Sequence, residues 1–261
     1  MRRAELGQFG LEHLAIVERP QPAPGPGQVA VRIHAASINF RDFLIAQGYY
    51  KQDLPLPLVP LSDGAGEVLA VGEGVRSVRA GDRVTSVFWQ SWAEGPPSLP
   101  AISISTGCEA PGVLAEVALL PEAAVLPLPA GLDYVQAAAL PCAGVTAWNA
   151  LVNLGRCGKD STVLVLGTVG VALLALQIAK AMGARVVVTS SSDEKLARAR
   201  ELGADHGINY RANPEWGKAA FEWAGLGANI VVETGGAGTL QQSIGALAWD
   251  GHIAYLGSLA G

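Results

Sequence analysis

The stretch Leu164-Val-Leu-Gly-Thr-Val-Gly-Val-Ala172 has residue types and a spacing that could hold a phosphate. An apolar run, Thr162–Leu166, meets a glycine turn and then an apolar helical pattern from Gly170 to Met182. In the G-x-G-x-x-G/A fingerprint the first glycine makes the tight turn. The second lets backbone approach a pyrophosphate, and the third position packs helix on strand. The helix N-terminus meets the negative charge with free N–H groups. Gly167 and Ala172 fit the first and third positions. Val169 stands at the second, where its Cβ presses toward the phosphate, and Gly170 follows one residue later. Taken alone, this is also an ordinary strand-to-helix turn. The strand–helix–strand setting is what favours a dinucleotide.

The next strand, Arg185–Thr189, ends in Ser190-Ser191-Ser192. A carboxylate about 20 residues past the first glycine would hold a ribose 2′-OH. None stands at this strand end, and Asp193 and Glu194 fall in the following helix. Ser190 and Ser191, with Lys195 one turn on, would accept and neutralise a 2′-phosphate. The same serines can cap the helix. The missing acid favours NADP(H), with NAD(H) the second choice.

Other chemistry is sparse. The three cysteines, Cys108, Cys142 and Cys157, form neither a disulfide framework nor a metal-binding pair. The four histidines lack ligand spacing. With 18 basic and 23 acidic residues the net charge is −5, which argues against a nucleic-acid partner. No apolar run reaches the roughly 18–20 residues that span a bilayer. The start, Met-Arg-Arg-Ala-Glu, has no apolar core of a signal peptide, so a cytoplasmic protein is expected. Half of the residues are hydrophobic and 16% charged, which excludes a disordered chain.

These residues need elements to position them. Residues 1–122 read as β-rich, with strands expected at His13–Glu18, Gln28–His34, Gly66–Ala70, Arg83–Phe88 and Val113–Leu119. Short strands between glycine- and proline-rich turns suggest a barrel or sandwich. Trp89–Gly112 shows no periodicity. Trp89 and Trp92 there could wall an apolar pocket or cover the barrel. Residues 123–261 alternate helix and strand, the signature of a doubly wound parallel sheet. Helices are expected at Leu132–Ala139, Ala143–Leu154 and Asp193–Leu202, and further strands at Gly207–Tyr210, Ile230–Thr234 and His252–Leu256.

Several motifs taken together are specific. They are Ala35-Ala-Ser-Ile-Asn-Phe-Arg-Asp42, Pro60-Leu-Ser-Asp-Gly-Ala-Gly-Glu-Val68, Gly81-Asp-Arg-Val84, Leu140-Pro-Cys-Ala-Gly-Val-Thr-Ala-Trp148 and Leu202-Gly-Ala-Asp-His-Gly-Ile-Asn-Tyr210. On these the chain resembles the medium-chain dehydrogenase/reductase superfamily, in its alcohol-dehydrogenase-like and quinone-oxidoreductase-like members. The resemblance implies an α/β protein: a GroES-like barrel, then a Rossmann sheet, with the active site in the cleft between them. It also implies a chain short at its C-terminus. The sheet would lack its last strand, leaving an exposed edge, and the catalytic domain would lack its return segment.

Many relatives bind catalytic zinc. At the matching positions this chain has Asn39, Ser62 with Asp63, and Cys142, a poor set for zinc. The resemblance therefore implies a zinc-independent oxidoreductase moving a hydride between NADP(H) and a small carbonyl, enone or quinone. It places Asn39 near the nicotinamide and the substrate oxygen, and Thr146 at the nicotinamide side. Tyr49 lines the substrate pocket, with Tyr50 an equal candidate, and Asp42 orients its neighbours. It assigns Gly167, Thr168, Val169, Gly170 and Val171 to the pyrophosphate and Tyr210 to the adenosine end. Gly235, Gly236, Gly257 and Ser258 fall to the loops beside the cofactor. A homodimer is a possible assembly. The competing readings are a nucleotide-binding protein without efficient catalysis, and a zinc alcohol dehydrogenase with other ligands.

Overall fold

Arg83–Ser86 alternates half-buried and buried residues, the pattern of a strand with one face on a core. The computed structural model describes residues 1–92 and 94–260, so Ala93 in the long aperiodic stretch lies outside the described residues. Strands β1 (Arg2–Leu6) and β2 (Leu14–Glu18) form an antiparallel pair. Next come β3 (Gln28–Ser37), helix α1 (Phe40–Ala46), β4 (Asp63–Val71), β5 (Arg83–Ser86), β6 (Val117–Pro121), β7 (Val125–Pro127) and helix α2 (Tyr134–Ala138).

The antiparallel sheet has the order β6-β3-β4-β5-β7. Its two outer strands are consecutive in sequence, joined by the 3-10 turn Glu122–Ala124. A flat sheet of this width would hold its edges about 19 Å apart at about 4.8 Å per strand. The four residue steps from Pro121 to Val125 reach at most about 14 Å. The sheet must therefore curl, and Val29, Val31, Val68, Val84, Leu120 and Val125 fill its inside.

The two compact units divide after Cys142, not at the expected boundary after Glu122. The reason is pairing and packing. Leu126 of β7 pairs with Thr85 of β5, and Ala137 and Ala138 of α2 are buried against Ala65. Two further elements escaped the sequence reading, β1 and α1. Helix α1 has only seven residues and is announced by its cap alone: the Asn39 N–H donates to Asp42 Oδ2 at 2.7 Å.

The second unit begins with α3 (Val145–Trp148), which is flanked by π-helical turns at Leu140–Gly144 and Asn149–Leu154. The expected single helix from Ala143 to Leu154 is thus interrupted. There follow β8 (Thr162–Leu166), α4 (Gly170–Ala181), β9 (Arg185–Ser190), α5 (Asp193–Glu201), β10 (His206–Asn209), α6 (Trp216–Ala224), β11 (Ala228–Glu233), α7 (Ala237–Gly245) and β12 (Leu247–Tyr255).

All five strands are parallel, in the order β10-β9-β8-β11-β12. Period-two alternation splits each central strand between two cores. Val163, Val165, Val186, Val188, Ile230 and Val232 face α4 through Ala172, Ala175, Leu176 and Ala179. Leu164, Leu166, Val187 and Val231 face Trp216 and Ala220 of α6. That two-faced burial is why Thr162–Leu166 reads as an unbroken apolar run. Strand β12 starts earlier than expected. Its register jumps from Ala228↔Leu247 to Ile230↔His252, which loops out Trp249, 95% exposed, beside Asp250 at φ 60°.

Candidate functional site

The phosphate turn is in place. Gly167 follows β8 with φ 83°, a left-handed conformation that a Cβ would strain. Its N–H donates to Thr189 O at 3.0 Å. Val169 is the N-cap of α4, with φ −124° and ψ −177°. That is extended backbone, so a valine fits without strain, and its side chain is 58% exposed. No side chain caps α4, and Leu173 is the first residue whose N–H finds a helical acceptor, Val169 O at 3.0 Å. The N–H groups of Gly170, Val171 and Ala172 are the donors every helix start leaves without a helical acceptor, and among the described residues no side chain caps them. Small residues, Ala172, Ala175 and Ala179, pack this helix on β8 and β9.

The end of β9 lies beside this turn. Thr168 Oγ1 and Ser190 Oγ are 3.3 Å apart, and the Ser192 N–H donates to Ser190 Oγ at 3.4 Å. Ser190 is buried and its hydroxyl is turned inward, so Ser191 and the exposed Lys195 are what this corner displays. Ser192 caps α5, its Oγ accepting the Lys195 N–H at 3.3 Å. Tyr210 sits next to them, its N–H donating to Ser190 O at 3.0 Å. Thr146 is half-buried on α3, and α3 packs on α4.

Gly235 and Gly236 follow β11, and Gly257 follows β12. A Cβ on Gly257 would stand 3.0 Å from Thr234 O, so the two loops touch. Sequence reasoning missed the residue that organises them. Glu233, fully buried, accepts the N–H groups of Gly235 (2.6 Å) and Gly236 (3.1 Å) and the Thr239 hydroxyl (2.7 Å) on Oε1, and the Ser243 hydroxyl on Oε2. The signal was an acid ending an apolar strand before two glycines.

In the first unit a polar cluster is buried around Asn39. The Ser62 hydroxyl donates to Asp63 Oδ1 at 2.5 Å, and the Cys142 N–H donates to Asp63 Oδ2 at 2.9 Å. Ser86 Oγ donates to Ser62 O at 2.8 Å and accepts the Gly64 N–H at 2.9 Å. Burial pushes Asp42 up to about 6, with the neighbouring Asp63 charge adding to it and hydrogen bonds and Arg41 opposing. Burial raises Asp63 as well, against the hydrogen bonds it accepts. The Cys142 thiol is pushed up to about 12, first by burial and then by Asp63.

Three buried polar atoms here lack partners among the described residues: Asn39 Nδ2, Arg41 Nε and Asp42 Oδ1. Arg41 is a second residue the sequence did not reveal. It reaches Thr106 O (3.2 Å) and Ser105 Oγ (2.9 Å) and lies over the rings of Phe88 and Tyr50. Tyr49 is 76% exposed and Tyr50 less so. Trp89 and Trp92 are half-buried, Trp89 edge-on to Phe88. Among the described residues no three His, Cys, Asp or Glu side chains gather to hold a metal.

Known proteins share both units. The alcohol dehydrogenase GroES-like domain family matches residues 25–130, and the zinc-binding dehydrogenase family matches residues 170–261. A zinc-type alcohol dehydrogenase-like protein of Schizosaccharomyces pombe is 45% identical over 238 residues, covering 90% of this chain and 69% of its own length. A quinone oxidoreductase-like protein 2 homolog of Nematostella vectensis is 32% identical over 91% of this chain and 60% of its own length. The chain thus spans about two thirds of these relatives. The crystal structure of a putative alcohol dehydrogenase from Sinorhizobium meliloti superposes with a TM-score of 0.92 at 44% identity, over all of this chain and 77% of that one. With both units matched by family models, by relatives of both kinds and by a solved structure, the chain belongs to the medium-chain dehydrogenase/reductase superfamily of oxidoreductases, among its alcohol-dehydrogenase-like and quinone-oxidoreductase-like members.

Proposed function

We propose that this protein reduces a small activated carbonyl, enone or quinone with NADPH and without zinc. The observation that carries the reading is the start of α4, where three unpaired N–H groups follow the left-handed Gly167 at the end of a parallel strand. Backbone donors and the helix dipole there suit a pyrophosphate. Val169, extended and exposed, takes up no backbone strain at that turn. Ser191 and Lys195 offer a hydroxyl and a cation to a 2′-phosphate, and no carboxylate ends β9 to hold a free 2′-OH.

When bound, the cofactor supplies a hydride to the acceptor carbon, and a proton completes the reduction. The chain's own residues would bind and orient the reactants. Asn39 offers its unpartnered Nδ2 to an oxygen that gains charge. Asp42, protonated up to about pH 6, accepts the Asn39 N–H, and Asp63 ties Ser62 to the backbone of Cys142. Tyr49 is the candidate donor at the substrate side and Thr146 the candidate contact at the nicotinamide side.

The donor set does not suit zinc. Asn39 and Ser62 are neutral side chains, and the Ser62 hydroxyl is spent on Asp63. Zinc needs deprotonated Cys, His or carboxylate ligands.

Titration with NADPH and, separately, NADH tests the cofactor half of the reading. Saturable binding with NADPH tighter is the expected result, and binding of neither would sink it. Turnover of a quinone or enone after exhaustive dialysis against a chelator tests the other half. A rate restored only by added zinc would overturn it.

A further inference from the structure

Four donors at the end of β11 converge on one carboxylate. Glu233 Oε1 takes the N–H groups of Gly235 and Gly236 and the Thr239 hydroxyl, and Oε2 takes the Ser243 hydroxyl. A carboxylate offers about four lone-pair sites and no donor, and both of its oxygens are engaged here. Burying an acid is costly unless its lone pairs are met, and an apolar residue would complete the strand without that cost. The carboxylate therefore has a task beyond filling the core.

The task is visible in what it holds. Gly236, with φ 94°, is the N-cap of α7 and has no side chain to cap the helix. Glu233 does so from the strand side, bonding the loop backbone and the first two turns of α7. The loop is tied on its other flank as well. The Thr234 hydroxyl donates to Leu166 O, the residue before Gly167, at 3.1 Å. Ala260 N–H donates to Gly235 O at 2.6 Å. Gly235 has no spare room, because a Cβ would stand 2.2 Å from Thr239 Oγ1.

Its place in the sheet matters. Chain order runs from β8 outward to β10, then resumes on the other side of β8 at β11. Ligands of open α/β sheets bind outside the carboxyl ends of the strands at such a reversal. A bound dinucleotide would put its adenosine ribose toward the end of the second strand, here β9, and its nicotinamide half would then fall to the β11 side.

We propose that Glu233 is a positioning residue of the dinucleotide site, holding Thr234–Gly236 in the shape that receives the nicotinamide half. This rests on the dinucleotide reading above.

The test measures two affinities in the full chain, for NADPH and for adenosine 2′,5′-diphosphate, which lacks the nicotinamide half. Glu233→Gln keeps a carbonyl for the three donors on Oε1, and its amide can donate to Ser243, whose hydroxyl rotates to accept. It should bind both ligands within about twofold of the unmodified protein. Glu233→Ala should lose NADPH affinity by about tenfold or more, with adenosine 2′,5′-diphosphate changed by less than about twofold. If Glu233→Ala does not fold, Thr239→Val removes one donor and should weaken NADPH by about threefold, sparing the half-ligand. Equal losses of both ligands, no loss of either, or a glutamine variant as weak as alanine would overturn the proposal. If the unmodified protein binds adenosine 2′,5′-diphosphate but gains nothing from the nicotinamide half, the positioning role fails while the phosphate turn stands. If it binds neither ligand, the dinucleotide reading fails and takes this one with it.

Discussion

Asp63 and Cys142, 79 residues apart in sequence, meet through the backbone: the Cys142 N–H donates to Asp63 Oδ2 at 2.9 Å. The thiol stays out of the bond and keeps its proton. Burial and the Asp63 charge hold it at about 12, and burial raises Cys108 to about 11 and Cys157 as well. Since the thiolate is the reactive form, none of the three should react appreciably with a thiol reagent at pH 8 in the folded protein. Denaturant should release all three. Rapid labelling of Cys142 in the native state would contradict this environment.

Asp42 gives the fold a pH dependence. Its carboxyl keeps a proton to about pH 6 in the folded chain and loses it near pH 4 when unfolded. Between those values the folded state binds more protons, so stability should fall as pH rises from about 4 to about 6, then level off. The charges facing it are Arg41, which opposes the shift, and Asp63, which adds to it. Asp42→Asn keeps an acceptor for the Asn39 N–H and cannot ionise. It should remove up to about 3 kcal/mol of that slope. Thermal melts of both proteins from pH 4 to 7 check it, and parallel curves would refute it.

Gly167→Ala should harm through conformation rather than crowding. No atom lies within 4 Å of where the Cβ would stand, but φ is 83°. The expected loss is about 1–2 kcal/mol of stability, with weaker NADPH binding from a distorted turn. Denaturant midpoints and the NADPH titration report the two effects. A variant as stable and as tight as the original would show that the turn does not need the left-handed residue.

Cofactor choice should follow the β9–α5 corner. Ser191→Asp places a carboxylate where a 2′-phosphate would sit, and Lys195→Glu removes the nearby cation. Together they should shift the NADPH-to-NADH affinity ratio by about tenfold or more toward NADH. An unchanged ratio would move the specificity determinant elsewhere. Ser190 is the wrong residue to change, because its buried hydroxyl is engaged with Thr168.

Much of the second unit was legible. Thr162–Leu166 and Arg185–Ser190 are apolar on both faces and bounded by glycine and serine, so burial itself wrote the pattern. Helix α5 was announced by serines that can cap it, and Ser192, one residue after the expected Ser191, is the one that does. Elements whose support is distant were not legible. β7 has three residues and exists because β5 needs a partner. Arg41 finds Ser105 and Thr106 some 64 residues away, and no local spacing encodes that. Glu233 draws its role from donors three to ten residues further along a loop and helix, which a strand-end acid does not announce by itself.

The looped-out start of β12 also decides how this protein can be watched. The chain has six tryptophans, in environments as different as Trp216, 7% exposed, and Trp249, 95% exposed. A solvent-bathed indole emits to the red of a buried one and responds little to events in the core. Trp249 will therefore contribute a constant, quencher-accessible glow over any ligand-induced change. Replacing it with phenylalanine touches an indole almost wholly in solvent and should leave the remaining emission a cleaner optical record of cofactor binding.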